Sequence, residues 1–500
     1  MMKIRNVLMV AGVAGMIAGC SNIPSVGPDY VEPEIVAPEA STPDAGYPTT
    51  NKTETGEFRA AATNEDPRIV ITAETLRGWW AQFHDETLSN LVETAVSNNL
   101  SYLMAQERLV QARWALVGSA SAFMPKVTMD GTYTRSGAHR FTYSRDAAGT
   151  GNGTAFHSGH WSSGFDAVWE IDIFGGTRRA YEQADAALSA AEFSLENAWV
   201  SLTAEIGSQY VSLRTMQERL RVARANLKLQ SETYDILKSR LDSGIGDELA
   251  VNQAKYNVEQ TRAGIPNLLA EEERYMNALA ILVGAMPGSL HPILRELPDR
   301  DWSVAPQRIE AIPLDGMRAR PDVRAAERTL AAQVAAVGIA ESGLFPKFYI
   351  NGSLGLDSAK PGRFFRADSF LASIGPGFSW PIFQGGNLVA NMKAEESKMN
   401  EAALKYELAV QTAYQETRNA YSAYTQEYHR YQSLQGAVRA ARSAVDISND
   451  LYKNGLADFN NVLDAQRSLL TLEESMVISR GMIVVDLISL YKALGGGVGL

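Results

Sequence analysis

Four short segments of the chain alternate apolar with polar residues. Apolar residues recur at every second position from Val127 to Tyr133 and again from Phe165 to Ile171. Two further segments between residues 345 and 380 have the same period of two. This period predicts β-strands that have one apolar and one polar face. We therefore expect two hairpins, at 124–173 and 345–380, and the Gly-, Ser- and His-rich loop of the first should run to about Ser158.

Long segments with helical spacing surround these strands. One predicted helix runs from about Glu86 to Ser119. Another runs from about Thr177 to Ser243 and would be about 100 Å long at about 1.5 Å per residue. A return helix reaches about Leu282, and Pro266 within it indicates a kink rather than an end. Because no proline follows Pro381, two more long helices are expected in the last part of the chain.

Two glycine-containing turns separate the long helices and match each other at a constant spacing of 211 residues. Gly244 corresponds to Gly455, and Asp247 corresponds to Asp458. The order of one helix, two strands and two long helices therefore occurs twice along the chain. The sequence predicts a mainly α protein with a small β part, built from an internally duplicated unit.

The duplication defines the predicted domain organisation. The first repeat covers 79–284 with its helical tip near 244, and the second covers 319–494 with its tip near 455. A proline-containing connector at 285–318 joins the repeats, and 495–500 form a C-terminal tail. Residues 20–78 are expected to be an extended tether, because they are rich in Pro, Thr, Glu and Ala and have no sustained period.

Residues 1–19 have the features of a lipoprotein signal peptide. Lys3 and Arg5 precede an apolar run that is too short to span a bilayer as a helix. The sequence Ile-Ala-Gly-Cys at 17–20 fits a lipoprotein cleavage box, which makes Cys20 the predicted lipidation site. The alternative is a small buried cysteine in an uncleaved signal. Ser21, rather than Asp, follows the cysteine, as in lipoproteins that are sent to the outer membrane.

Composition excludes several classes of function. The formal net charge of −11 argues against a nucleic-acid partner, which needs a basic surface. Cys20 is the only cysteine, so a disulfide framework and a Cys-rich metal site are excluded. His139, His157 and His160 have no carboxylate at a suitable spacing for a metal. Since no catalytic motif is present either, we expect no enzymatic activity, no cofactor and no metal.

The number of strands constrains the assembly. Strands that have one apolar face can cross a bilayer only as a closed barrel, because an open edge leaves backbone groups unpaired in lipid. Four strands cannot close, since about eight are the lower limit. Three copies would supply twelve strands, whereas two would supply eight and leave little lumen. A soluble helical bundle with two ordinary hairpins is the alternative.

Six short segments point to a known family. They are Gly27-Pro-Asp-Tyr, Trp79-Trp80 with Phe83 and Asp85, Arg320-Pro-Asp-Val-Arg-Ala-Ala-Glu327, Phe345-Pro-Lys, Tyr452-x-x-Gly-x-x-Asp and Val462-Leu-Asp-Ala-Gln-Arg467. In this order they resemble the outer-membrane efflux proteins of the TolC-like superfamily, specifically the lipoprotein branch that serves resistance–nodulation–division (RND) pumps. The resemblance covers the chain from Cys20 to about Leu494. It implies a homotrimer in which a twelve-stranded outer-membrane β-barrel continues into a long periplasmic α-helical barrel.

The resemblance also implies which residues line the periplasmic aperture. Asp464 would project into the bore, and on a three-fold axis it would form a ring of three carboxylates that selects cations. A solvated helix charge is the alternative. Asn460 and Asn461 match other aperture positions of the family. The first repeat has Gln253 at the position of Asp464, so a charged ring would come from the second tip alone.

Further residues at the tips are expected to hold the channel shut or to bind a partner. Tyr452 matches a family tyrosine that ties the tip shut by hydrogen bonds, and a tyrosine packed between helices is the alternative. Polar residues such as Asp242 or Ser243 are its expected partners, because Ala457 stands where some members carry a basic latch residue. The expected docking surface for an adaptor, for which plain helix turns are the alternative, is Gly244, Gly246, Gly455 and Leu456.

Together these features predict a passive exit duct of a tripartite RND-type efflux pump. It would be lipid-anchored in the outer membrane and span it, with a large periplasmic part. Its expected partners are two further copies of the chain, a periplasmic membrane-fusion adaptor, an inner-membrane RND transporter and, through Cys20, outer-membrane lipid. The cargo would be drugs or other small toxic compounds selected by the pump. The alternatives are a type I secretion duct and a periplasmic coiled-coil adaptor.

Overall fold

The computed structural model describes the backbone at residues 25–33, 68–70, 76, 78–140, 154–296, 308–311, 319–454 and 456–496, and the side chains at all of these except 68–70, 138–140, 154–158 and 308–311. The α-helices of this part are α1 (Glu86–Asn98), α2 (Leu100–Ala120), α3 (Gly176–Asp242), α4 (Glu248–Leu282), α5 (His291–Leu294), α6 (Pro321–Ser342), α7 (Asn387–Lys453) and α8 (Phe459–Ala493). The strands are β1 (Arg68–Val70), β2 (Lys126–Arg140), β3 (Thr154–Ile171), β4 (Arg308–Ala311), β5 (Lys347–Ser358) and β6 (Phe370–Ser379).

The predicted duplication is present in the order and in the lengths of the elements. The first repeat runs α2, β2, β3, α3 and α4, and the second runs α6, β5, β6, α7 and α8. The helices α3 and α7 both contain 67 residues, and α4 and α8 both contain 35. The helix α4 continues through Pro266, as predicted. The mainly helical, duplicated fold with a small antiparallel sheet is therefore confirmed.

The first long helix is interrupted at Asn99, so the prediction of one helix from Glu86 to Ser119 was wrong. The backbone of Asn99 is extended, with ψ at 120°. Its side-chain amide donates a hydrogen bond to the carbonyl oxygen of Leu282 (2.8 Å), and its side-chain oxygen accepts one from the backbone N–H of Tyr102 (2.8 Å). Asparagine favours such capping positions because its side chain replaces a missing backbone partner. The chain therefore ends α1 and starts α2 at this residue.

The four longer strands form one antiparallel sheet in the order β2-β3-β5-β6. The backbones of β2 and β3 pair as far as Arg140 and Thr154. The prediction that the first loop runs to about Ser158 was therefore wrong, because a strand ladder is made by backbone groups and does not require apolar side chains. We call the end of the sheet where β2 and β5 begin, and where β3 and β6 end, its base.

The sheet has the two chemically different faces that its alternation predicts. One face carries apolar side chains such as Met129, Phe165 and Leu354, which are exposed in the single chain. The opposite face carries hydroxyl and carboxylate side chains. There, Thr132 and Ser162 share a 2.7 Å hydrogen bond, as do Ser353 and Ser373, and His160 Nε2 lies 2.9 Å from Asp357 Oδ2.

The described residues form two compact units, and each draws on both repeats. One contains residues 110–190 and 327–405 with the segment that ends at residue 33. The other contains residues 191–326 and 406–500 with those up to Leu109. No helix among the described residues combines the length and the apolar character that a membrane span requires.

The core of the second unit explains one of the six sequence segments, the one that contains Trp79 and Asp85. Trp79 is fully buried, and a Cβ added to Gly207 of α3 would lie 2.4 Å from its ring. Glycine at position 207 therefore makes room for the tryptophan. Asp85 caps α1 by accepting hydrogen bonds from Thr87 and Leu88 backbone N–H groups, and it also accepts one from the Tyr210 hydroxyl.

Arg320 explains a second segment, because it connects the start of α6 to the end of α8. Its buried guanidinium donates to the carbonyl oxygen of Ala493 (2.8 Å), which is the last residue of α8. The same group pairs with Asp322 and Glu416 at 2.7 Å each. A cation at the carbonyl end of a helix interacts favourably with the helix dipole. The Arg-Pro-Asp sequence thus fixes the second repeat to its own C-terminal helix.

Candidate functional site: the tips of the helical hairpins

The two hairpin tips close with the same backbone hydrogen bond at equivalent positions. In the first tip the N–H of Ile245 donates to the carbonyl oxygen of Arg240 (3.1 Å). In the second tip, the N–H of Leu456 donates to the carbonyl oxygen of Leu451 (2.9 Å). Both donors and both acceptors are 211 residues apart. The shared six-residue turn is the kind of closure that commonly ends α-helices.

Glycine is required at two positions of the first tip. Gly244 has a φ of +74°, which is a left-handed conformation that favours glycine. A Cβ added to Gly246 would lie 2.4 Å from the backbone nitrogen of Leu241. Its counterpart in the second tip is Ala457, so the two turns differ at this point. Gly455 lies outside the described residues.

The two tips pack against each other through a small hydrophobic cluster in the second unit. It contains one buried residue of α3, three of α4 and three of α8: Leu237, Ala250, Val251, Ala254, Phe459, Val462 and Leu463. Val251 and Val462 occupy equivalent positions of the two repeats. The cluster therefore joins the hairpins near their ends, and it fixes which face of α8 is left exposed.

The predicted aperture residues share that exposed face of α8. Asn460, Asn461 and Asp464 are exposed, whereas Val462 and Leu463 between them are buried. The Asp464 carboxylate is 77 % exposed and has one nearby cation, the Arg467 guanidinium at 3.9 Å. We call this exposed face of α8, with Asn460, Asn461 and Asp464, the stripe. It carries one negative charge, the Asp464 carboxylate, which is only weakly neutralised by Arg467.

Arg467 links α8 to α4 and was not singled out by the sequence. Its Nε and one terminal nitrogen donate to the side-chain oxygen of Asn257, at 2.9 and 2.7 Å, and its guanidinium lies 5.6 Å from the ring centroid of Tyr256. Asn257 is buried, with 3 % of its surface exposed. We call these contacts the Arg467 brace. The sequence held one signal for this contact, which is the repeat spacing: Arg467 lies 211 residues after Tyr256, so the two residues occupy equivalent positions of the two repeats.

Tyr452 lies at the end of α7 and is half-buried beside the tip cluster. Its ring centroid is 5.3 Å from that of Phe459, and the guanidinium of Arg240 lies 5.8 Å away over the ring. The Ser243 hydroxyl, one of the expected partners, donates to the carbonyl oxygen of Ser239. The tyrosine thus connects the end of α3 with the start of α8 by ring contacts.

Exposed apolar residues surround the turns. Leu456, a predicted docking residue, is 75 % exposed, and Ile245, its counterpart in the first tip, is 72 % exposed. Leu249 at the start of α4 is also exposed. Ile245 and Leu249 were not predicted from the sequence, although the repeat would have found Ile245 from Leu456. Exposed apolar residues of this kind at the same end of a helical pair favour binding of another protein.

The base of the sheet carries a second duplicated feature. The indole N–H of Trp169 donates to the carbonyl oxygen of Phe123 (3.0 Å), and that of Trp380 donates to the carbonyl oxygen of Leu344 (3.1 Å). Both indoles are partly exposed, and Trp169 lies on the apolar face of the sheet. Where β5 ends, and with it the four-stranded part of the sheet, Tyr133 and Trp161 pack with ring centroids 4.3 Å apart. Aromatic residues at both ends of an apolar surface are typical of outer-membrane sheets.

The described side chains offer no cluster of three or more His, Cys, Asp or Glu residues that could hold a metal ion. His160 pairs with one carboxylate, as described above, and His291 lies 3.1 Å from Glu273. The side chains of His139 and His157 lie outside the described part of the chain.

Comparison with known proteins identifies the family. The sequence profile of the family described as outer membrane efflux protein matches residues 91–285 and 317–496. The chain belongs to this family. Its members are outer-membrane channels rather than enzymes, and the predicted family, the outer-membrane location and the efflux-channel function are thereby confirmed.

Individual relatives support the family assignment over most of the chain. Nodulation protein T of Rhizobium leguminosarum bv. trifolii is 31 % identical over 429 residues, which cover 85 % of this chain and 88 % of that protein. The toluene efflux pump outer membrane protein TtgC of Pseudomonas putida is 27 % identical over 494 residues, or 99 % of this chain and 96 % of its own. The solved structure of the outer-membrane channel OprN has a TM-score of 0.81 and 32 % identity, covering 94 % and 99 % of the two chains.

Proposed function

We propose that the chain is the exit duct of an RND-type tripartite efflux pump and that three copies form it. The observation that carries this proposal is the four-stranded sheet with one apolar and one polar face. Within the described residues, the sheet ends at β2 on one side and at β6 on the other. A sheet that faces lipid must pair these edges, and three copies give a twelve-stranded barrel with a lumen. Its polar face lines the bore, and its apolar face contacts lipid.

The duct narrows at the tips of α7 and α8. Around the three-fold axis, Asp464 supplies a ring of three carboxylates, and Asn460 and Asn461 supply neutral polar groups on the same stripe. A ring of negative charges favours cations in the constriction. The support for this role is the high exposure of the Asp464 carboxylate and its position beside the two asparagines. Tyr452 sits behind the stripe and holds the end of α7 against the tip cluster.

The periplasmic adaptor docks on the tip turns. The proposed docking surface consists of Gly244, Gly246, Gly455 and Leu456, and Ile245 and Leu249 add exposed apolar surface to it. An adaptor that offers matching apolar residues at a helical tip would bury these side chains. The inner-membrane RND transporter then supplies the driving force and selects the cargo, which consists of small toxic compounds.

Conductance of the purified protein in planar bilayers tests the channel. We expect cation-selective openings that increase when the aperture is widened by substitution. A protein that inserts but gives no current, even with a mutated aperture, would contradict the duct. Chemical cross-linking in detergent should give trimers as the largest species, and a dimer limit would contradict the twelve-stranded barrel.

Lipidation at Cys20, which lies outside the described residues, is tested separately. Cells that express the protein should incorporate labelled palmitate into the wild type and not into Cys20→Ser. Incorporation that persists in the variant would remove Cys20 as the lipid site.

A further inference from the structure

Residues 359–369 connect β5 to β6 at the end of the sheet away from its base, and we call them the β5–β6 loop. The chain enters the sheet at the base from α2 and α6 and leaves it there for α3 and α7. These helices belong to the periplasmic part of the protein. The β5–β6 loop therefore faces the exterior.

The lengths of the strands place the loop at the level of the lipid headgroups. The strand β6 contains 10 residues. At about 3.3 Å per residue and a tilt of about 40° such a strand crosses about 25 Å, which is the height of the apolar band in outer-membrane sheets. The aromatic pair of Tyr133 and Trp161 marks the same level, because Trp161 pairs with Ser358, the last residue of β5. The loop thus begins where the apolar band ends.

Hydrogen bonds within the loop fix its backbone. The hydroxyl of the buried Ser358 donates to the carbonyl oxygen of Lys360 (3.0 Å). The hydroxyl of the buried Ser369 donates to that of Arg363 (2.7 Å). The carbonyl oxygens of Lys360, Arg363 and Arg366 each accept the backbone N–H of the residue three positions later, at 3.0 Å. The loop therefore holds three basic residues at a regular spacing.

These three residues give the loop a positive charge. Lys360, Arg363 and Arg366 are exposed, and the loop contains one carboxylate, Asp368. The Arg363 guanidinium lies 3.9 Å from that carboxylate, and because both side chains are more than half exposed, the pair is weak. Among the described residues, no carboxylate pairs with Lys360 or Arg366. The loop thus carries an excess of basic residues in a chain whose formal net charge is −11.

An exposed aromatic ring accompanies the positive charges. Phe365, in the middle of the loop, is 88 % exposed, and its ring lies edge-to-face on that of Phe364 with centroids 5.1 Å apart. Phe370, which begins β6 on the apolar face of the sheet, is also exposed. Large exposed apolar side chains that lie together indicate contact with a protein or a membrane. The loop therefore combines cations with apolar surface immediately before the apolar face begins.

We propose that the β5–β6 loop binds a phosphorylated glycolipid of the outer leaflet. The outer leaflet of this membrane consists largely of lipopolysaccharide, whose lipid A headgroup carries phosphates. Arg363 and Arg366 bind phosphate with paired N–H donors, Lys360 adds a point charge, and Phe365 packs on the acyl chains. The charge and the depth of the loop both match this lipid. The inference rests on the proposed function, because it requires a sheet that crosses the outer membrane.

A neighbouring copy of the chain is the other candidate partner of the loop. The strand β6 lies at an edge of the sheet, so a second copy that pairs with it would lie beside the loop. Such a contact would bury Phe365 but would not require phosphate. The dependence of binding on phosphate therefore distinguishes the two partners, and an acidic chain is the less suitable partner for the loop only if that dependence is observed.

Variants of the full-length protein test the proposal. The loop variant replaces the three basic residues of the loop by glutamine: Lys360→Gln, Arg363→Gln and Arg366→Gln. The matched control makes the same change at three exposed lysines of α7, each paired with a glutamate three or four positions away: Lys393→Gln, Lys398→Gln and Lys405→Gln. Both variants therefore have the same net charge. A third variant, Phe365→Ser, removes the exposed ring alone.

The measurement is the dissociation constant of the purified protein in detergent for two fluorescent probes, diphosphoryl lipid A and dephosphorylated lipid A. We expect the loop variant to bind the diphosphoryl probe on the order of 100-fold more weakly, because each basic residue near an anionic lipid surface contributes about 5-fold. The control should match the wild type. Phe365→Ser should weaken the binding of both probes on the order of 10-fold. Equal affinities of the loop variant and the control would overturn the proposal.

The wild type alone decides the question if the loop variant does not fold. It should prefer the diphosphoryl probe, and this preference should decrease as salt is added, because salt screens exposed charges. Equal binding of the two probes, or a preference that salt does not change, would refute a phosphate site on the loop. A loop variant that binds lipid A as the control does, but gives fewer cross-linked trimers, would assign the loop to a neighbouring copy and overturn the proposal.

Planar bilayers separate this inference from the proposed function. If the wild type gives no current, the proposed function fails and the inference fails with it. If the wild type conducts and forms trimers but does not distinguish the two probes, only the lipid-binding role of the loop is refuted.

Discussion

The Arg467 guanidinium stacks over the ring of Tyr256, its counterpart 211 residues earlier in the other repeat. The same residue donates two hydrogen bonds to Asn257. Val251 and Val462, which are also equivalent, share the buried cluster of the tips. The duplicated helices α4 and α8 therefore pack through corresponding positions near the tips of the hairpins. At position 467 the second repeat has a cation where the first has an aromatic ring, and this difference allows polar bonds between the two helices.

Removing the Arg467 brace should loosen the tips. Arg467→Met keeps the length of the side chain but leaves the buried oxygen of Asn257 without its donor, which costs about 1–3 kcal/mol. We expect longer or more frequent openings in planar bilayers, because the exposed stripe of α8 is then less firmly held. Arg262→Met is the matched control, since Arg262 pairs with Glu259 on α4, where both side chains are more than half exposed, and such pairs contribute little. Equal currents in the two variants would contradict a role for the brace.

The charge of the proposed aperture can be changed from either repeat. Asp464→Ala should enlarge the conductance and weaken the preference for cations, because it removes three charges from the proposed trimer. Gln253→Asp should strengthen that preference, since it places a carboxylate at the equivalent position of the first tip. Reversal potentials in a salt gradient measure both effects. A selectivity that does not respond to Asp464→Ala would mean that this residue does not line the constriction.

The elements of the fold could be predicted because each depends on local sequence. The period of two from Val127 to Tyr133 marks a strand wherever it is packed, and a long proline-free segment such as that around Gly207 marks a helix. The constant spacing between Gly244 and Gly455 then revealed the duplication. At the tips, the same spacing predicts matching turns, and the hydrogen bonds of Ile245 and Leu456 match as expected.

The contacts between side chains, at the tips and elsewhere, could not be predicted, because they join residues that are distant in sequence. Asn99 interrupts a helix through a bond to Leu282, which is 183 positions away. To predict the Arg467 brace, one must know which faces of α4 and α8 meet. The Tyr30 hydroxyl finds Glu327 at a separation of 297 residues. Nothing in the local composition around Tyr30 distinguishes a segment that is bonded to α6 from the extended tether that was expected.

Two glycines within long helices should respond in opposite directions to alanine. At Gly436 of α7, a Cβ meets nothing within 4 Å, so Gly436→Ala should stabilise the protein by about 0.5–1 kcal/mol through helix propensity. At Gly207 of α3, the same change forces a Cβ into the ring of Trp79. We expect Gly207→Ala to be destabilising by about 1–3 kcal/mol, as in other overpacked cores. Thermal unfolding followed by circular dichroism measures both, and a stabilised Gly207→Ala would show that Trp79 can move aside.

Asp486 on α8 should make stability depend on pH near neutrality. Burial, and then the charge of Glu427, raise its pKa to about 6 from the usual 3.8. The folded state therefore binds this proton more tightly than the unfolded state does. The resulting stabilisation is fully present below about pH 4 and is lost as the pH rises through about 6.

Asp486→Asn should remove this dependence. At pH 7.5 the variant should be more stable than the wild type by about 1–2 kcal/mol, after allowance for solvent screening, and at pH 4 the two should be nearly equal. Glu427→Gln should also increase stability at pH 7.5, by a smaller amount, because it removes only the second cause of the raised pKa of Asp486. Denaturant unfolding at the two pH values gives the comparison, and Asp450→Asn on an exposed part of α7 is the control. If Asp486→Asn raised the free energy of unfolding by the same amount at both pH values, ionisation of Asp486 would not be the cause of the increase.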